Sequence, residues 1–288
     1  MKILPECFPC LMRQTLNTVQ QVTTDKAVQA AVLREVAAYM AQANADVPPA
    51  KFSQPMYAIV AQRTGVADPF DEVKRQTNAL ALQLLPEVSE QVRQSHDPLG
   101  KALHAAAAGN VIDAVIRGGF DVHADMLRQL RQPFQVNDLP VFRNMVKRGS
   151  KVLYLADNAG EIIFDALVVE QIHRLGAAVT VAVKSGPIIN DAMMADAMAA
   201  GLPNRCTVME TGSADIGVNW DNASAALRAT YDAADVVLAK GHGHFETLFD
   251  ARHLGLFFLL KAKCPVVANV LNCNIGDLAF IHAAHLHA

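Results

Sequence analysis

Lys151-Val-Leu-Tyr-Leu-Ala-Asp157-Asn158-Ala-Gly160-Glu161 is an apolar run that stops abruptly on two polar side chains. No charge falls between Val152 and Ala156, and the residues there are partly β-branched or aromatic. A strand buried on both faces of a parallel sheet has this composition. Ligand sites of open α/β sheets lie just beyond the carboxyl ends of such strands. An Asp-Asn pair at that point, followed by glycine and a helical pattern, suits a hard cation or a phosphate. The same pair can equally do no more than turn the chain and cap the next helix.

Outward from this stretch the second half of the chain alternates. Strand candidates are residues 152–156, 179–183, 207–209, 236–239 and 266–270, and between them lie helical candidates at 162–175, 191–200, 223–233 and 247–262. Strands spaced by helices imply βαβ crossovers and a parallel sheet covered on both faces. The first half reads as helices instead. Leu16, Val19 and Val22 recur at helical spacing, as do Val28, Val32 and Val36. Pro48-Pro49 breaks the pattern, Asp68-Pro69-Phe70 opens another helix, and residues 99–116 are apolar nearly all round before Gly118-Gly119. A basic, proline-containing stretch from Arg128 to Arg148 connects the halves. The expected architecture is α/β, a parallel-rich doubly wound three-layer sandwich over 149–288 with an all-helical subdomain over 1–148 that contributes to the cleft.

Composition bounds the partners. The 288 residues are 52% hydrophobic and 18% charged, an ordinary globular balance. The 25 basic and 28 acidic residues give a net charge of −3 without a basic stripe, which argues against a nucleic-acid partner. The start, Met1-Lys2-Ile-Leu-Pro5, has no signal-peptide core, and no apolar run approaches the ~20 residues of a membrane span. Five cysteines is an odd number for a secreted disulfide framework, so a reduced cytoplasm is the expected location. The oligomeric state leaves no mark on the sequence.

Three strand ends finish on polar residues. The first is Asp157-Asn158-Ala-Gly160-Glu161, whose glycine permits close backbone approach and whose following helix points its positive end back at the site. After the strand at 179–183 comes Lys184-Ser-Gly186-Pro187-Ile-Ile-Asn190-Asp191, a second pair ahead of a helix. After 236–239 comes Lys240-Gly241-His242-Gly243-His244-Phe245-Glu246, with a lysine placed to neutralise phosphate charge. If these strands are neighbours, Asp157, Asn158 and Asp191 form an all-oxygen set with open positions, which favours magnesium or manganese over a closed zinc site. A cation beside a lysine and a helix amino terminus is what phosphoryl transfer needs.

The chain resembles the damage-control phosphatase family, also called the acidic-residue-methyltransferase-like family or domain of unknown function 89, and within it the microbial branch that opens with Cys-x-x-Cys. The matching pieces are Cys7-Phe8-Pro9-Cys10, Asp68-Pro69-Phe70 with Lys74 and Asn78, Gly109-Asn110-Val-Ile-Asp113, Asp157-Asn158-Ala-Gly160-Glu161, Pro187-Ile-Ile-Asn190-Asp191 and Lys240-Gly241 with Phe245-Glu246-Thr-Leu248. They run in family order and cover nearly the whole chain. The resemblance implies a divalent metal (magnesium, manganese, cobalt or nickel) on Asp157, Asn158 and Asp191, and phosphate contact by Lys240. It also implies a substrate cleft to which Asn110 and Asp113 contribute, and hydrolysis of a small phosphorylated metabolite. Asp157, Glu161 and Lys240 are then the candidate catalytic residues. Gly160, Asn190, Lys240, Asn110 and Asp113 are the candidate phosphate or substrate contacts. The chain departs from the family pattern at His242 and His244, where amide side chains are usual; they are expected to be solvated loop residues.

Other features compete less well. Cys7 and Cys10 precede a helix rather than follow a strand, and no second Cys-x-x-Cys completes a zinc site, which leaves a structural pair, a regulatory disulfide or a shared metal. The terminal His282, His285 and His287 are expected to be a mobile end. Glu161 either orders a metal-bound water or complements the helix dipole. An aspartyl-phosphate on Asp157 is disfavoured, because position 159 is alanine where such hydrolases commonly carry a second carboxylate. Methyl transfer from S-adenosylmethionine lacks its glycine fingerprint after the first strand. A non-catalytic metal or nucleotide sensor, with Cys7 and Cys10 reporting redox state, is the reading from another class.

Overall fold

A computed structural model describes residues 1–109 and 122–287. Seven strands among them form one sheet: β1 (Phe134–Asn137), β2 (Lys151–Leu155), β3 (Ala178–Val183), β4 (Thr207–Glu210), β5 (Val236–Lys240), β6 (Leu256–Lys261) and β7 (Leu278–His282). Their order is β1-β7-β6-β5-β2-β3-β4, parallel throughout except between β6 and β7. The chain winds from β2 to β3 and β4 on one side, then returns to β5 and β6 on the other. The reversal lies between β2 and β5, which is where doubly wound sheets bind ligands.

Alternation along the strands divides the core into two layers. Val152, Tyr154, Val236, Leu238, Phe257 and Phe280 face the helices Asp71–Gln94, Pro98–Ala108 and Glu161–Arg174. Leu153, Leu155, Val237, Ala239, Phe258 and Ile281 face Ala225–Ala233, Gly241–Leu248 and Pro265–Val270. Both sets are buried, which explains why the strands read as unbroken apolar runs. Each fully buried phenylalanine contributes about 1.5–3 kcal/mol. A third core joins the helices Cys7–Val22, Lys26–Gln42 and Pro49–Thr64 through Val19, Val36, Phe52 and Val60.

Four expectations need correction. Residues 266–270 are helix, because Pro265 at the first helical position overrides the β-branched run after it. The helix expected over 247–262 is in fact Gly241–Leu248, a turn, and then β6. The terminal histidines are tied down: His282 ends β7 and its N–H donates to Asp138, whose carboxylate also takes Nδ1 of His285 at 2.9 Å. A division at 148 cuts through the sheet, since β1 pairs with β7, and the helices Asp71–Gln94 and Pro98–Ala108 share a core with the strands. Among the described residues only the helices Cys7–Val22, Lys26–Gln42 and Pro49–Thr64 have a core of their own. No helix among those residues is long and apolar enough to cross a membrane.

Candidate active site

Backbone pairing brings the predicted strand ends together. Asn158 and Asp191 form an antiparallel bridge just past β2 and β3. The Ala159 N–H donates to the Asn190 carbonyl at 2.9 Å, and the Ala192 N–H to that of Asp157 at 2.8 Å. Asp157, Asn158 and Asp191 therefore meet by main-chain geometry, the turn after β2 laced to the segment that folds back after β3. The third strand end reaches the same point through a glycine. Gly241 has φ +77°, and a Cβ built on it would lie 2.0 Å from Oδ2 of Asp157. Gly160 also has positive φ; its N–H donates to Oδ1 of Asn78 at 2.7 Å, and Nδ2 of Asn78 donates to Asp196 at 2.6 Å. Gly160 thus shapes the turn while its amide is held by Asn78.

Behind the Asp157 turn lies a buried polar chain. Nζ of Lys240 donates to Oε2 of Glu161 at 2.8 Å and to Oδ1 of Asp165 at 2.7 Å, and the Tyr154 hydroxyl donates to the same Asp165 oxygen at 2.7 Å. Nδ2 of Asn158 donates to Oε1 of Glu161 at 2.9 Å and to Oδ2 of Asp157 at 3.2 Å. Lys240 is 1% exposed and Glu161 fully buried. On the other side Lys184 sits 3.6 Å from Oδ2 of Asp191 and donates to the Gly217 carbonyl at 2.5 Å.

The charges do not balance. Glu161 and Asp165 share Lys240, Asp191 has Lys184, and Asp157 joins no ion pair among the described residues. Desolvation first, then the nearby Glu161 and Asp191, raise the Asp157 carboxyl well above its ordinary range. Burial pushes Asp191 up to about 6 against the pull of Lys184. Among the described residues no three His, Cys, Asp or Glu side chains cluster as a metal site. The Asp157, Asn158 and Asp191 set offers two carboxylates and one amide, all hard oxygen donors, around a carboxylate that joins no ion pair among the described residues. That donor chemistry fits a hard or borderline divalent ion with water completing its shell.

A cavity of about 760 Å³ opens over this point, beneath the helices Cys7–Val22 and Pro49–Thr64. Asp157, Asn158, Asn190 and Asp191 line its floor, and Gln14, Ser53 and Tyr57 are among the residues of its roof. Lys263 also lines it; the residue is exposed and joins no ion pair among the described residues. Cys7, Cys10 and Cys264 line it as well, all three free thiols. Glu246 ties roof to floor by accepting the Ala50 N–H at 2.8 Å, and desolvation raises its carboxyl to about 7.

Residues 3–279 match the family model of the damage-control phosphatase ARMT1-like domain. The chain belongs to that family. It is 33% identical over 283 residues to a damage-control phosphatase from Pyrococcus horikoshii, covering 96% of this chain and 97% of that one. It is 32% identical over 284 residues to a damage-control phosphatase from Archaeoglobus fulgidus, covering 96% and 98%. The crystal structure of a DUF89 family protein from Pyrococcus horikoshii superposes with a TM-score of 0.90 at 32% identity, covering 98% of this chain and 99% of that one.

Within this family framework, Asp157, Asn158, Asn190 and Asp191 stand together at the cavity. Lys240 and Glu161 stand behind that surface and are committed to each other. Asn110 and Asp113 lie outside the described residues. His242 and His244 are on a helix rather than in a solvated loop. His244 is 2% exposed, its Nδ1 lies 2.7 Å from the Lys240 carbonyl, and desolvation, then Lys184, lower its pKa to about 3. His242 lines the cavity with its pKa lowered to about 4 by desolvation and Lys263. Sequence reasoning missed Lys263 and Cys264, although both follow directly on the end of β6 and so obey the same strand-end rule.

Proposed function

We propose that the chain is a divalent-metal-dependent phosphatase that releases inorganic phosphate from a small phosphorylated metabolite. Membership of the family and two relatives named damage-control phosphatase support the phosphatase reading. The observation that carries the metal reading is Asp157, a buried carboxylate without an ion-pair partner among the described residues, whose neighbour Asn158 is bridged to Asp191 at the floor of an open cavity.

Asp157, Asn158 and Asp191 hold the ion. When bound, a divalent cation neutralises phosphoryl oxygens and acidifies a coordinated water. Lys263 is the cation that faces the cavity, and we assign it the phosphate contact that the sequence suggested for Lys240. The helical roof excludes bulk water and contacts the organic part of the substrate through neutral groups such as Gln14, Ser53 and Tyr57. A cytoplasmic location agrees with five unpaired cysteines.

The test is phosphate release from a panel of phosphorylated metabolites by chelator-stripped protein supplied in turn with magnesium, manganese, cobalt and nickel. Turnover that requires one of these ions and vanishes in Asp191→Asn supports the proposal. Absence of turnover across the panel with every ion contradicts it.

A further inference from the structure

Among the described residues Tyr154, Asp165, Lys240 and Glu161 do not line the cavity, yet the polar chain they form reaches the Asn158 amide, which does. Tyr154, Asp165, Lys240, Glu161, Asn158 and Asp157 follow one another at hydrogen-bond distances of 2.7–3.2 Å. All are buried, Asp157 being the most accessible at 9%. Nδ2 of Asn158 faces one oxygen of Asp157 and one of Glu161, and the Glu161 carboxyl, whose other oxygen takes Lys240, is the acceptor at the shorter distance. An amide carbonyl turned toward that carboxyl would meet lone pairs, so the amide must present its NH2. Its carbonyl oxygen is then held at the opposite corner of the amide plane.

We propose that Tyr154, Asp165, Lys240 and Glu161 are positioning residues that fix the Asn158 amide, so that its oxygen rather than its nitrogen is offered to the metal. This rests on the metal reading above. Lys240 is the cation that Glu161 and Asp165 share, and it gathers both side chains into one buried cluster. Tyr154 fixes Asp165, Asp165 and Glu161 fix Lys240, and the free oxygen of Glu161 fixes the amide. Partners of this kind behind a ligand orient it and tune its affinity. Lys240 therefore acts through Asn158 on metal affinity, without touching phosphate.

Glu161→Gln tests the idea. The substitution keeps the size of the side chain and leaves Lys240 and Asp165 as a one-to-one pair, so the fold has no new unpaired charge. The introduced amide turns its oxygen to Lys240, which sets its NH2 against that of Asn158 and leaves only the longer contact to Asp157 to hold the Asn158 amide, so its orientation is no longer fixed. Binding of Mn²⁺ alone to the full chain, followed by loss of the free-ion electron paramagnetic resonance signal, should weaken about 10–100-fold. The melting temperature of the metal-free protein should stay near that of the unsubstituted chain. Adding Asn158→Asp to Glu161→Gln should restore binding, because a carboxylate presents an oxygen in either orientation. Unchanged Mn²⁺ affinity in Glu161→Gln overturns the positioning role while leaving the metal reading intact. So does a double variant that binds no better than the single one. No Mn²⁺ binding by the unsubstituted chain overturns both.

Discussion

Gly241 and Asp157 occupy one space: the carboxylate fills the volume where any other residue at 241 would carry its Cβ, 2.0 Å from Oδ2. β5 and β2 can approach this closely only because position 241 has no side chain and adopts φ +77°. Gly241→Ala must either push Asp157 aside or leave the left-handed conformation. A stability loss of about 1–3 kcal/mol is expected from the overpacking, together with loss of turnover. Chemical denaturation and a phosphate-release assay measure the two; a variant as stable and active as the unsubstituted chain would show that the contact does not shape the site.

Asp157→Asn should separate stability from function. Burial and like charge raise this carboxyl in the folded protein, so ionising it at neutral pH opposes folding. The neutral isostere removes that cost. The metal-free variant should be about 1–3 kcal/mol more stable at pH 7 and inactive with every ion. A variant that is less stable by urea titration would place a compensating cation at Asp157.

Glu246 predicts a loss of stability as pH rises from about 4.5 through neutrality. Its carboxyl moves from 4.5 to about 7 through desolvation, opposed by the Ala50 N–H. The folded pKa is raised, so its contribution is complete below about 4.5 and is lost as pH rises through about 7. Glu246→Gln keeps the size and the acceptor for Ala50. It should match the unsubstituted protein at pH 4.5 and exceed it by about 1–3 kcal/mol at pH 8. Parallel stability curves across that range would sink the assignment. His242 and His244 contribute with the opposite sign: their lowered values of about 4 and about 3 remove stability as pH falls below about 6.5, which is why the comparison uses the variant rather than the raw curve.

Lys263 is exposed, so its removal should leave the fold within about 0.5 kcal/mol. If it contacts phosphate, Lys263→Ala lowers kcat/KM about tenfold or more, with Mn²⁺ affinity nearly unchanged. Unaltered kinetics would return the phosphate contact to another group.

What could be read in the sequence followed the reach of each signal. β2, β3 and β5 are apolar runs closed by polar residues, so their existence was legible from residues 152 to 240, whereas their order in the sheet depends on how the crossovers wind. β6 was not legible: Leu256-Phe-Phe-Leu-Leu260 is apolar on both faces, and run together with Thr247-Leu248-Phe249 it mimics a buried helix. That single misreading hid Lys263 and Cys264, whose place at the end of β6 would otherwise have named them. The residue types at the site were legible because strand ends converge by topology. The commitment of Lys240 to Glu161 and Asp165 was not, since pairing across 79 and 75 positions depends on how the helix Glu161–Arg174 lies over the sheet.

In the proposed mechanism two carboxylates and one amide beyond the ends of β2 and β3 hold a divalent ion on which hydrolysis depends. It is tested most directly by phosphate release from one accepted substrate, using protein stripped with chelator and then given back manganese. The expected result is no turnover when stripped, recovery with about one ion per chain, and no recovery in Asp157→Asn. Full turnover by the stripped protein, or recovery of the Asp157→Asn variant to the unsubstituted rate, would contradict it.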